Sequence, residues 1–529
     1  MGADTRRDSF FYKAAAGALR AASKAVHWLD SSSKLHPGWD PYMKHSFAPV
    51  DKEVLEGVEV IEGNLPEELE GTYVRTGPNP KLAPMGGYHW FDGDGMIHAV
   101  RIAGGRAIYC NRWVETARLE QEERAGFPLA GKIGDYRGFS SLVYMGLNRL
   151  AIALGVLSQK HGLGTANTAI AYHAGKILAL HEGDLPYALR VACSGLVETV
   201  GRVTYGGKVT HAFTAHPKLD PETQQLFYFG YDCGKAPHCH YGWLEADGTV
   251  AADFPVTIPK PVMMHDMALT QKHALILDMP LEFEPKVMVK EGKLPFVFAD
   301  RPARIGVLPR CARSADDIRW FTAERLMSFH VANAWEEGKT IRLFLCTMNS
   351  FSLDEFTAAE GAEPLLTEFR LHLDTGACTV RRFEESPAAY GDFPVVHPGL
   401  VGRRTRYTYV ACMESDDRGV PRFVGVTKFD LQSGTIAGHV RHGGARLGGE
   451  AVFVPRRPGP IAPGSEDEDD GWLMTYVTDD DTLHSELVVY DARTMAATPV
   501  VRLRMPQRVP HGFHGHWVTA AQLAAQAAA

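Results

Sequence analysis

Patterned cysteine is the first thing this chain lacks. Eight cysteines are scattered over 529 residues, and no two form a Cys-x-x-Cys pair. That excludes a thiolate zinc knuckle and a thioredoxin-type dithiol. A chain this size gains little from disulfides, so reduced thiols in a cytosolic compartment are expected. Basic runs are also missing, and the net charge is −8, which excludes a nucleic-acid partner. No uninterrupted apolar run of spanning length occurs. The best candidate, FSSLVYMGLNRLAIALGVL at 139–157, carries Asn148 and Arg149 at its middle, where a central arginine is costly. It predicts a core helix or a shallow membrane-dipping patch rather than a span. The N-terminus lacks an apolar stretch followed by a small-residue cleavage site, and Asp4 and Asp8 argue against a transit peptide. MGADTR misses the myristoylation pattern because Arg6 stands where Ser or Thr is needed.

Helical periodicity is scarce after residue 160. It is clear only near the start, where Phe11, Ala15, Ala18, Ala22, Val26 and Leu29 recur at spacings of three and four, with Lys13, Arg20 and Lys24 opposite. Residues 9–29 therefore predict an amphipathic helix, suited either to a membrane surface or to packing on the body of the protein. With its linker it forms an N-terminal segment, 1–44, ahead of a single domain at 45–529.

From about residue 55 the chain consists of short runs rich in β-branched and aromatic residues. QLFYFGYD, HALILDMPL, IRLFLCTM and WLMTYVTDDD are examples, each bounded by turn formers. Several strands end in an Asp-led turn: LDPET at 219–223, LDTG at 373–376, FDLQSG at 429–434 and YDART at 490–494, with LEADG at 244–248 a looser copy. The spacing is irregular, but such repetition fits an all-β propeller, which closes a long chain without exposed edges and brings inner strands to one axis. The acidic run Glu466–Asp470, in a Pro/Gly-rich stretch, reads as a solvated loop.

Four histidines stand in separate strand-like contexts: His216 in FTAHPKLDP, His265 in MMHDMALT, His330 in MSFHVANAW and His514 in PHGFHGHWV. They are separated by 49, 65 and 184 residues. That spread excludes a local finger-type loop and requires distant strands to converge. In the last segment His511 and His516 compete with His514, and spacing does not decide among them. Imidazole suits iron, zinc, copper and nickel alike. Metal-bound imidazoles usually donate their second N–H to a carboxylate or carbonyl. Glu182, Asp392 and Glu450 are acids in apolar or glycine-rich β contexts and are candidates for that task. The His238–His240 tract, HCH, looks like a metal tract but reads as an incidental cluster.

Seven ordered segments then carry a resemblance: GTYVRTGPNPKLAPMGGYHWFDGDGMIHAV, GTANTAIAYHAGKILALHEGDLPYAL, FTAHPKLDP, PVMMHDMALT, FHVANAWEE, GGEAVFVPR and RVPHGFHG. Over residues 45 to about 523 the chain resembles the carotenoid cleavage oxygenase family, above all its plant cytosolic 9,10(9′,10′)-cleaving branch. The resemblance implies a seven-bladed β-propeller with a helical and loop cap over its top face. It implies one Fe(II) per chain, held by His216, His265, His330 and His514, with O2 as co-substrate. It also implies that Glu182 orients His265, Asp392 orients His330, Glu450 orients His514, and His216 has no carboxylate partner. Many relatives carry Glu at the position of Asp392 and Tyr at that of His511. The implied activity is oxidative scission of a carotenoid or apocarotenoid double bond. The alternatives within the fold are stilbene or phenylpropene cleavage and a retinoid-type isomerisation. A soluble enzyme taking carotenoid from a lipid phase implies peripheral membrane contact by the N-terminal helix and the 139–157 patch.

Overall fold

The computed structural model describes residues 10–30, 41–354, 361–383, 386–415 and 419–526. Seven antiparallel sheets form the blades of a β-propeller, and a two-stranded sheet (Leu281–Phe283 with Phe296–Phe298) stands apart from them. Five blades are plain four-stranded meanders. Their middle strands are buried along almost their full length because each sheet is sandwiched between neighbours, whereas outermost strands such as Cys378–Arg382 are largely exposed. Nine residues of the strand Met327–Glu337 are buried, and the strand Thr340–Met348 is buried at seven of nine positions.

The other two blades close the ring by mixing the chain ends. Gly515–Thr519 pairs with Gly71–Pro78, and Glu59–Gly63 pairs with Val501–Arg504. The first closure needs glycine. A Cβ on Gly77 would stand 2.6 Å from the Gly512 Cα, so any larger residue would force the two backbones apart.

The Asp-led turns are side-chain-capped. Asp220 accepts from the backbone N–H of Glu222 and Thr223, Asp430 from those of Gln432 and Ser433, and Asp491 from that of Thr494. This Asx geometry explains why an aspartate recurs where one strand ends and the next begins.

Two expectations need correction. The acidic run is not simply a solvated loop: Glu468 and Asp469 are buried. Glu468 accepts from the backbone N–H groups of Arg406 and Tyr407, and Asp469 pairs with Lys428 at 2.7 Å. A carboxylate can satisfy several donors at once, so part of the run staples the preceding blade instead of facing water.

The N-terminal helix spans Phe10–Asp30, but its packed stripe is Tyr12, Ala16, Leu19 and Ser23, one position off the predicted face. Its neighbours are Phe127, Leu129 and Ala151, the last on the helix Ser140–Ala153. The Met85 carbonyl lies 2.8 Å from His27 Nδ1 and accepts from Tyr144 Oη at 2.6 Å, linking the two helices at one point. Phe11 and Leu29 of the predicted face remain exposed, beside Phe10 and Trp28. No helix among the described residues is long and apolar enough to cross a membrane.

Candidate metal centre

The four histidines come together on the propeller axis. His216, His265 and His514 lie in irregular backbone just before the innermost strands Lys218–Leu219, Met267–Leu269 and Gly515–Thr519. Only His330 lies within a strand, and there the ladder is bulged between Ser328 and Asn333. A side chain in a regular ladder points perpendicular to its sheet, whereas a strand end or a bulge can aim it along the axis.

The Nε2 atoms converge. His216 to His265 is 3.0 Å, His265 to His330 is 3.2 Å, and His330 to His514 is 3.1 Å. All four lie within 4.8 Å of one another. Four lone pairs turned on one point repel unless a cation sits among them. This donor set therefore fits a divalent transition metal. Burial, followed by the neighbouring rings, holds His216 and His330 well below the usual imidazole pKa. Both stay neutral, as ligands must.

The second ring nitrogens are treated unequally. Glu182 Oε2 accepts from His265 Nδ1 at 2.8 Å, and Tyr231 Oη donates to its other oxygen at 3.0 Å. Burial lowers the His265 pKa, but the Glu182 charge and hydrogen bond outweigh it and the net shift is upward. Glu450 bridges His514 Nδ1 at 2.8 Å and the Gly515 backbone N–H at 2.7 Å. Asp392 differs. Its Oδ1 is 2.9 Å from His330 Nδ1, yet the ring N–H is not aligned on it and His330 Nδ1 makes no hydrogen bond. Burial pushes the Asp392 carboxyl up to about 7. Among the described residues, no carboxylate bonds to His216. Its backbone N–H donates to Thr214 Oγ1 at 3.0 Å.

His511 and His516 stand away from the cluster. His511 is buried with its ring 4.5 Å from Phe47. His516 pairs with Val74 inside the closing blade, where burial lowers it to about 4.

The centre opens into a cavity. Its walls are mostly apolar, with Trp90, Phe91, Phe329, Phe393, Phe423 and Phe513 the aromatic part. Trp90, Phe91 and Ile133 come from connections outside the blades, so the cap roofs the centre. Phe393 lies between two of the converging histidines, 5.1 Å from the His330 ring and 5.0 Å from the His514 ring, and its backbone has φ +56°. A left-handed phenylalanine is strained and persists only where its surroundings hold it. Sequence reasoning missed Phe393, Tyr231 and the cavity walls. A phenylalanine and a tyrosine carry no local mark of such a duty.

Comparison with known proteins gives a consistent result. The model of the retinal pigment epithelial membrane protein family, RPE65, matches residues 47–519. A carotenoid 9,10(9′,10′)-cleavage dioxygenase of Crocus sativus is 41% identical over 96% of this chain and 93% of its own length. Its Arabidopsis thaliana counterpart is 40% identical over 96% and 94%. Among solved structures, the Pseudomonas brassicacearum lignostilbene dioxygenase superposes with a TM-score of 0.76 at 26% identity, covering 91% of this chain and 98% of its own. A Synechocystis apocarotenoid oxygenase carrying Glu150Gln gives 0.73 at 26%, covering 89% and 97%. With a family model spanning the whole propeller and relatives above 40% identity over nearly its full length, this chain belongs to the RPE65, or carotenoid cleavage oxygenase, family.

Proposed function

We propose that the chain is an Fe(II)-dependent dioxygenase that cleaves a carotenoid or apocarotenoid at the 9,10 and 9′,10′ double bonds. The observation that carries this reading is the set of four converging Nε2 atoms facing a deep, aromatic-walled cavity. His216, His265, His330 and His514 would hold one iron per chain, with Glu182, Glu450 and, more loosely, Asp392 orienting their rings. When bound, Fe(II) supplies the redox chemistry by which O2 reacts with an electron-rich double bond. The protein's own share is placement. Phe393 and Phe329 hold apolar faces against the ligand rings, so a polyene can lie beside the centre with water excluded. No side chain is needed as general acid or base. The bond cut depends on where the cavity stops the polyene.

Stilbene cleavage is the second reading, favoured by the superposition on the lignostilbene enzyme. A phenolic end group would need a polar partner far from the metal. Among the described residues, neither lysine nor tyrosine lines the cavity, which favours the polyene. Retinoid-type isomerisation needs the same pocket but no O2 in its products.

The substrate class also explains the outer surface. Phe10 (90% exposed), Phe11, Trp28, Leu29 and Phe139 (74%) lie on or beside two helices packed on each other. Such a patch suits shallow insertion into a lipid interface by a cytoplasmic, peripherally bound protein that draws an apolar substrate from the bilayer.

The test is anaerobic Fe(II) reconstitution followed by a full-length carotenoid and a shortened apocarotenal in detergent under O2, with products identified by mass. Two terminal ketones with a central dialdehyde are expected. One iron per chain with no carotenoid product, but cleavage of a stilbene, would transfer the assignment to the second reading.

A further inference from the structure

A second nitrogen–oxygen cluster lies in the blade built on Leu226–Tyr231, His238–Leu244 and Val250–Thr257, away from the axis. His211 Nε2 stands 2.9 Å from Asp253 Oδ2, and His240 Nδ1 stands 3.4 Å from Asp253 Oδ1. The two imidazole rings are 4.4 Å apart. We propose that His211, His240 and Asp253 form a peripheral binding site for a zinc-class divalent cation, separate from the four-histidine centre.

Four observations support it. First, the three donors come from three chain segments, and their ligand atoms lie within 4.8 Å of one another. Two imidazole nitrogens and a carboxylate oxygen with an open position form a donor set that borderline cations take readily. Second, His240 Nδ1 is buried and makes no hydrogen bond, although it faces the carboxylate. An orphaned ring nitrogen is costly unless something coordinates it. Third, the outer contacts of a metal site are already in place. His211 Nδ1 donates to the Ala212 carbonyl at 2.7 Å, which leaves Nε2 as its ligand atom, and Tyr228 Oη donates to Asp253 Oδ2 at 2.7 Å. Fourth, room for the His211 ring depends on Gly230, whose Cβ would stand 2.3 Å from His211 Nδ1.

The three side chains keep 14, 32 and 15% of their surface, so an ion has a path in from solvent. Without the cation, a proton on His211 Nε2 bridges to Asp253. Binding exchanges that proton for the metal and releases it to solvent. The site has a structural use. His211 opens the irregular segment that ends at His216, an axial histidine to which no carboxylate bonds among the described residues. A cation at the blade would anchor that segment from its far end.

His238–His240 reads in the sequence as an incidental tract. The structure puts it at the start of a strand, where alternation buries Cys239 on one face and turns His240 to the other, toward Asp253.

The test is equilibrium dialysis of metal-free full-length protein against micromolar Zn2+, with bound zinc counted by elemental analysis. Two zinc ions per chain are expected for the wild type, one axial and one peripheral. His240→Gln should retain one, and Tyr228→Phe should retain two, with the second bound about 10-fold more weakly. A wild-type count of one, or two retained by His240→Gln, overturns the proposal. Should His240→Gln fail to fold, anomalous diffraction at the zinc edge from zinc-soaked wild-type crystals decides without a variant. A peak between His211 and Asp253 is expected, and its absence refutes the site.

Discussion

The axial centre and the packed helical pair meet solvent and substrate in opposite ways. At the centre, four rings from four chain segments are each fixed by burial, and two are also fixed by carboxylates that are themselves hydrogen-bonded. At the helices, Tyr12, Ala16 and Leu19 anchor one face, while Phe10, Phe11, Trp28 and Leu29 stand out in solvent. One region is held by many directional contacts, so a small displacement is costly. The other depends on area, which is non-directional and roughly additive. Damage should therefore be steep at the axis and shallow at the surface.

The strongest way to break that contrast is at a ligand. His514→Ala removes one of four donors and leaves Glu450 buried without its ring. Loss of bound metal and loss of turnover by on the order of a thousandfold or more are expected, read by metal analysis and product formation. A variant that kept metal and rate would show that the centre is not as tightly determined as its geometry requires.

The next contrast lies inside the centre. Glu450→Gln leaves one acceptor oxygen for two donors, the His514 ring N–H and the Gly515 backbone N–H, and should lower metal retention and activity by roughly 10–100-fold. Asp392→Asn alters a contact of 2.9 Å whose N–H is not aligned, so a several-fold smaller loss is expected. Equal losses from the two would mean that the His330–Asp392 contact bears as much as the aligned one.

The smallest effect on chemistry belongs to the surface. Phe11→Ser with Trp28→Ser should reduce binding to phospholipid vesicles by about 10-fold or more, from the apolar area removed. Turnover of detergent-dispersed substrate should not change. A fall in turnover with vesicle binding intact would make these side chains part of the path to the cavity instead of a lipid contact.

The all-β character was written in short β-branched and aromatic runs and in Asp-led turns, because strand preference and Asx capping are local. The converging histidines were legible because a histidine in an apolar stretch is conspicuous, and the resemblance separated His514 from His511 and His516. The helix was legible too, yet its packed stripe was displaced by one position. Alanine and phenylalanine fit either face, and the face is chosen by what lies opposite.

By itself, then, the sequence determined what class of fold the chain takes and which histidines and acids were candidates for the centre, since both follow from residue type and short-range pattern. Only the tertiary structure decided that Asp392 is near His330 but misaligned, that Phe393 is strained between two of the converging histidines, that Glu468 is buried and that His211, His240 and Asp253 meet. Each of these depends on where segments tens or hundreds of residues apart come to rest, and an alignment of a few tenths of an ångström or tens of degrees is a property of packing, not of the order of residues.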